Sequence, residues 1–200
     1  MKKYYEVAVM LISWFALLLQ FVILKDTIPN FFSYFTILSN LLVAISLTVV
    51  IFASKTKIGD IFSLPTTSSA IALYILIVGL VYNLVLRGIW DPKGWQLVAD
   101  NLLHVAVPVL YFIYWLIFIL KGTLNWKDGI AWTYFPLAYL TYSLIRGHFV
   151  SWYPYPFLDV NELGYLQVFI NVVFIVIAFV IFSSLMIGFN KLMKRKKANN

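Results

Sequence analysis

The sequence predicts an all-α fold: a polytopic integral membrane protein built as a compact bundle of six transmembrane helices. Three observations predict it. Of 200 residues, 62% are hydrophobic and only 12% charged, against about 25% charged in a soluble domain. The mean hydropathy is +0.90, more apolar surface than a globule of this length can bury, so lipid must cover much of it. The apolar residues also fall into six runs with the charges gathered at their ends, and a spanning helix needs about 20 such residues.

The runs cover residues 5–24, 31–53, 68–86, 97–120, 130–145 and 164–189. The first follows Lys2 and Lys3 but is long and lacks a small-residue cleavage site, so it reads as a retained span rather than a signal peptide. The fifth is the shortest and carries Pro136, whose missing N–H weakens an interior helix. Short links make residues 1–190 one domain, followed by a basic tail, 191–200. Aromatics make up 18% of the chain and cluster where helices meet headgroups, as an aromatic belt would. The longest expected external link, 147–163, holds Trp152-Tyr153-Pro154-Tyr155-Pro156-Phe157. It reads either as a stiff interfacial lid or as a headgroup anchor.

Orientation follows from basic residues, which favour the cytoplasmic side. With six spans, eleven Lys and Arg share a side with the termini and four lie opposite. The expected location is the cell membrane, of the bacterial inner-membrane kind, with both termini cytoplasmic. The net charge of +7 is concentrated in Lys191, Lys194, Arg195, Lys196 and Lys197, a juxtamembrane pattern that suits anionic lipid and not nucleic acid. Without cysteine there is no disulfide, thiol nucleophile or Cys-ligated metal. Two histidines 44 residues apart without acidic partners at ligand spacing do not make a metal site. No cofactor is expected. Homo-oligomerisation stays open.

Polar residues inside spans are costly and usually face the bundle interior. Here they fall on stripes spaced four residues apart, which puts each pair on one helix face. The second span carries Thr36 and Asn40, the third Asn83 and Arg87, the fourth Asp100 and His104; the fifth carries Tyr139, Tyr142 and Arg146. All fall in the expected outer halves, above an apolar floor. Counted from the expected helix starts, Thr36 and His104 lie about 8–10 Å deep, so they can share a level. The second and fourth spans are then expected to be neighbours.

Each residue has a bland reading beside the sharper one. Thr36 could simply bond the carbonyl of Phe32, one turn back. His104, inside a span, is a general-base candidate or a structural tie. Asp100 could orient its ring. Pro108 has no N–H for the carbonyl of His104 and so leaves a free acceptor beside the imidazole. The Asn40 amide could donate to an oxyanion or join helices. Arg87 and Arg146 either snorkel to phosphates or hold a substrate carboxylate. A faint echo relates Ser39-Asn40-Leu41-Leu42 to Asp100-Asn101-Leu102-Leu103, with Asn171 similarly placed in the last span.

Three stretches carry a resemblance: Tyr34-Phe35-Thr36-Ile37-Leu38-Ser39-Asn40-Leu41, Asn101-Leu102-Leu103-His104-Val105-Ala106-Val107-Pro108, and Arg146-Gly147 through Trp152-Tyr153-Pro154-Tyr155-Pro156-Phe157-Leu158-Asp159. In these, from about residue 5 to 185, the chain resembles a family of small bacterial six-pass membrane proteins. That family is in turn distantly similar to the eukaryotic androgen-induced membrane proteins, threonine-dependent hydrolases of fatty acid esters of hydroxy fatty acids. The resemblance implies a lipid-ester hydrolase with Thr36 as nucleophile and His104 as base. Asn40, Asn83, Arg87, Asp100, Asn101 and Arg146 would then serve substrate or oxyanion binding, with the bilayer and a lipid-like ester as partners. The Trp-Tyr-Pro-Tyr-Pro link is a bacterial feature, so lid and substrate do not carry over. The alternative is a non-catalytic membrane protein that binds or transports a small molecule or lipid, or only scaffolds.

Overall fold

In the computed structural model, residues 1–89 and 91–198 are described, and every element among them is helical. The side chains of residues 194–198, and residues 199–200, lie outside the described residues; most of the expected basic tail falls there. Five helices are long and apolar enough to cross a membrane: Lys2–Val22, Phe35–Phe52, Pro65–Leu86, Trp95–Phe118 and Val160–Met193. By Cα proximity the chain forms two compact units, Met1–Thr123 and Leu124–Asn200.

The first unit opens with α1 (Lys2–Val22) and a short α2 (Ile28–Phe31). Asp26 and Thr27 build α2: the Thr27 hydroxyl accepts the Asn30 amide at 3.3 Å, and Asp26 accepts the Thr27 N–H at 2.6 Å. The extended backbone of Tyr34 (φ −83°, ψ 127°) then separates α2 from α3 (Phe35–Phe52). This moves the expected start of the second span from 31 to 35, because the Asp-Thr-Ile-Pro segment caps its own turn. After α4 (Lys57–Ser63), α5 (Pro65–Val81) starts on a proline, which is tolerated where no N–H is needed. It runs into one turn of π-helix, Tyr82–Leu86. The fourth span is α6 (Trp95–Asn101), a second π turn (Leu102–Ala106) and α7 (Val107–Phe118).

Helix α3 packs against α1 and α5, and α7 against α5 and α1. Lipid tails are as apolar as leucine, so membrane helices associate through close backbone approach and interhelical hydrogen bonds. The contact faces fit this: Ser13, Ala16, Ser39, Ala44, Ser69 and Ala72 are all fully buried.

In the second unit α8 (Trp126–Ala131) begins with a reciprocal Asn125–Asp128 capping box. Then α9 (Tyr134–Val150) and, after a short 3₁₀ turn (Pro156–Leu158), α10 (Val160–Ala198) follow. Gly164, at φ 74°, breaks the start of α10 from its long apolar stretch. The expected fifth span, 130–145, is displaced: its start lies in α8 and its helix continues to Val150. Pro136 stands in the first turn of α9 and disrupts nothing. Helix α9 has 17 residues, about 25 Å, short of a ~30 Å hydrocarbon core. Helix α10 runs through the start of the expected tail, where Lys191 lies 5.1 Å from the Trp126 ring centroid.

Candidate functional site

The polar residues of the first unit meet around the π turn that carries His104. A regular helix would bond the Leu103 carbonyl to the N–H of residue 107 and the His104 carbonyl to that of residue 108. Neither bond forms. The Val107 N–H bonds Leu102 instead, five residues back, and residue 108 is proline. Two consecutive carbonyls are thereby released in apolar surroundings, where an unpaired backbone group costs several kcal/mol.

Two asparagines on other helices take them. Asn40 Nδ2, on α3, donates to Leu103 O at 3.2 Å and to its own Thr36 O at 2.8 Å. Asn83 Nδ2, in the π turn that follows α5, donates to His104 O at 3.2 Å and to Gly79 O at 2.7 Å. Gly79 eases the approach: a Cβ there would meet the His104 carbonyl oxygen at 3.2 Å and Pro108 Cβ at 3.1 Å, and one of them would have to give by a few tenths of an ångström. The free acceptor expected beside Pro108 therefore exists, and it is filled.

The His104 ring is held at two points. Its Nδ1 lies 2.9 Å from the Asp100 carbonyl oxygen. A carbonyl can only accept, so Nδ1 carries the proton and Nε2 presents a lone pair. The ring lies flat on Tyr82, centroids 3.8 Å apart and planes at 12°. Tyr82 in turn donates its hydroxyl to Asp100 Oδ2 at 2.8 Å. Gln96 Nε2 donates to Asp100 Oδ1 at 3.1 Å and to Gln20 Oε1 of α1 at 2.9 Å. Asp100 thus orients the imidazole through its backbone and through Tyr82. The Asp100 carboxylate itself bonds Tyr82 and Gln96.

Thr36 is buried at the second position of α3, where the helix dipole favours developing negative charge. It is not the 8–10 Å deep that the expected start at 31 gave. One Asn40 nitrogen reaches both Thr36 O and Leu103 O, which brings the first turn of α3 against the π turn of His104. The second and fourth spans are neighbours, as expected. Of the two readings of Asn40, the bonds are those of a residue joining helices: a carboxamide has two N–H groups, and both are engaged. Its Oδ1 is buried and has no partner among the described residues. Asn83 is likewise fully engaged, its Oδ1 accepting from Arg87 Nη1 at 2.9 Å. Arg87 is exposed at the rim. Asn101 donates back to Leu97 O on its own helix at 2.9 Å, so the echo between Asn40 and Asn101 does not extend to their roles.

Sequence reasoning missed Gln20, Tyr82, Gln96 and Gly79. A signal existed for two of them: Gln96 extends the stripe of Asp100 and His104 back one turn, and Gly79 does the same for Asn83 and Arg87.

The expected apolar floor is also corrected. Near the opposite end of the helices, Glu6 is buried; Tyr114 donates to its Oε1 at 2.8 Å and the Lys2 ammonium is 3.6 Å away. Tyr111 and Ser46 lie 3.5 Å apart at the same end. Buried Val43, between Asn40 and Ser46, and Val107, between His104 and Tyr111, lie between the two polar levels. Just beyond α7, Lys121 donates to Trp115 O at 2.6 Å and lies over the Trp115 ring, and burial lowers its pKa to about 8. A lysine with a folded pKa below its unfolded value costs most stability below the folded pKa, and the cost fades as pH rises to the unfolded value. Stability in detergent should therefore rise between about pH 8 and pH 10.5. Lys121→Met should flatten that rise in a series of melts; an unchanged slope assigns it to other groups.

In the second unit the Trp-Tyr-Pro-Tyr-Pro link folds back on α9. Arg146 lies 5.0 Å from the Trp152 ring centroid. The Tyr153 ring occupies the space where a Gly147 side chain would stand, and Asn171 of α10 donates to Phe157 O at 3.0 Å. Arg146, Gly147 and His148 consequently continue the helix instead of opening the link. No family model matches the chain, and neither curated proteins nor solved structures give a match.

Proposed function

We propose that the protein is an intramembrane hydrolase of a lipid-like ester, with Thr36 as nucleophile and His104 as general base. The observation that carries this reading is the state of His104. Its Nδ1–H is fixed by the Asp100 carbonyl, its ring by Tyr82, and its Nε2 has no hydrogen-bond partner among the described residues. A fixed imidazole with an available lone pair inside a membrane helix is arranged as a base. Asn40 ties its turn to that of Thr36.

In this reading Nε2 takes the proton of the Thr36 hydroxyl as its oxygen attacks the ester carbonyl. The proton passes to the departing alkoxide, and the acyl-threonine is released by water through the same base. The α3 dipole supports the oxyanion, and Arg87 at the rim suits a free carboxylate on the substrate. The test is covalent labelling: purified protein is treated with a long-chain fluorophosphonate and the adduct mapped by mass spectrometry. An adduct on Thr36, lost in His104→Ala, is the expected result. A protein that takes no label and cleaves no ester would instead fit a binding or scaffolding role. That second reading draws on the closure of the Gln20–Gln96–Asp100–Tyr82 network, whose hydrogen bonds are spent within the protein.

The reading includes six crossings, with α9 as the short fifth one and both termini cytoplasmic. A periplasm-active reporter fused after Asn200 should then be silent. Strong reporter activity would mean five crossings or the inverse orientation.

A further inference from the structure

We infer that Asn40 and Asn83 are positioning residues for His104: together they form a clasp that holds its π turn open by taking the two carbonyls released there. The account of hydrogen bonds supports this. In an α-helical turn the Val107 N–H would serve Leu103, and the carbonyls would point along the helix. Pro108 removes one bond and the π turn diverts the other. Each released carbonyl then finds one carboxamide, from a different helix on each side, at the same distance of 3.2 Å. Each asparagine also braces itself on its own helix, Asn40 on Thr36 O and Asn83 on Gly79 O. The side chains are thus held in place before they meet the π turn. Gly79 eases the close approach that Asn83 makes.

The clasp bears on the imidazole because the two groups share a backbone. If the turn reverted to α-helical winding, the residues before it would rotate relative to those after it. The Asp100 carbonyl, the Tyr82 ring and the His104 ring would then no longer meet as they do. A structural tie alone would need only one bond to either helix; the two carboxamides on consecutive carbonyls fix the winding itself. This deepens the proposed role of His104 as a base, but its test does not depend on hydrolysis.

The chain has two histidines, so His148→Gln leaves His104 as the only imidazole. In that background, nitrogen NMR of the detergent-solubilised protein should show a single neutral tautomer protonated at Nδ1. Asn83→Leu should displace the signal toward a mixture of tautomers. Arg87→Ala, which removes only the bond to Asn83 Oδ1, should leave it in place. Asn83→Leu combined with Pro108→Ala returns an N–H at position 108 to the His104 carbonyl; melting should recover while the imidazole signal stays displaced. That combination also carries the test if Asn83→Leu alone fails to fold. A native signal in either folded variant would overturn the clasp. A displaced signal in a protein that never hydrolyses an ester would uphold the clasp and sink only the catalytic reading.

Discussion

Thr36→Ala and His104→Ala are each expected to abolish hydrolysis of a long-chain ester, and the double variant is expected to be no worse than either. Residues that act as one nucleophilic unit are non-additive, because removing either partner already removes the activated hydroxyl. Thr36→Ser should keep part of the activity, since the hydroxyl survives with one methyl fewer. The controls follow from position. Thr36→Ala changes few atoms and should leave expression and melting nearly intact. His104→Ala loses the bond to Asp100 O and the stack on Tyr82, about 1–2 kcal/mol in a membrane interior, so its folding must be checked before its activity is read. Initial rates on a chromogenic long-chain ester decide the matter. A fully active Thr36→Ala with an inactive His104→Ala would replace the covalent route by water activated directly at Nε2. Two active alanine variants would remove both residues from the chemistry.

Asp100→Ala is expected to produce the largest loss of stability of any single change in the polar cluster, about 2–4 kcal/mol. The carboxylate is buried and accepts from both Tyr82 and Gln96. Bonds to a charged acceptor contribute about 1.5–3 kcal/mol, and orphaned buried donors add to the loss. Tyr82→Phe removes only one of these bonds and should cost about 1 kcal/mol. The double variant Asp100→Ala/Tyr82→Phe should be less destabilised than the sum, since the Tyr82 hydroxyl is no longer stranded. Thermal melts in one detergent would measure all three. Strict additivity would mean that the Tyr82–Asp100 bond contributes nothing, and with it would go the account of how Tyr82 is held flat on the imidazole.

The two π turns show where sequence reading stopped. Pro108 made the free His104 carbonyl legible, because a proline has no N–H wherever it stands. The release of the Leu103 carbonyl was not legible. It arises when the Val107 N–H shifts to Leu102, a choice between two backbone acceptors that nearby carboxamides bias. The helix start at Phe35 shows a similar limit. The run opens on Phe31 and Phe32, but Asp26, Thr27 and Pro29 build a separate turn that hydropathy does not register. Glu6 carried no reading from the sequence, because its partner Tyr114 stands 108 positions away.

The sequence by itself determined that the chain is helical and apolar enough for lipid, and that its polar residues recur four apart on helix faces. Composition sets the first, and the 3.6-residue period of the helix sets the second. Tertiary structure alone decided which partner each polar residue takes. It turned Asn40 and Asn83 toward the carbonyls around His104, gave the Asp100 carboxylate to Tyr82 and Gln96, and left Nε2 as the open nitrogen of the imidazole. A carboxamide or a carboxylate bonds whichever donor or acceptor lies within about 3 Å, and that is fixed by which helices are neighbours and how closely a residue such as Gly79 lets them approach.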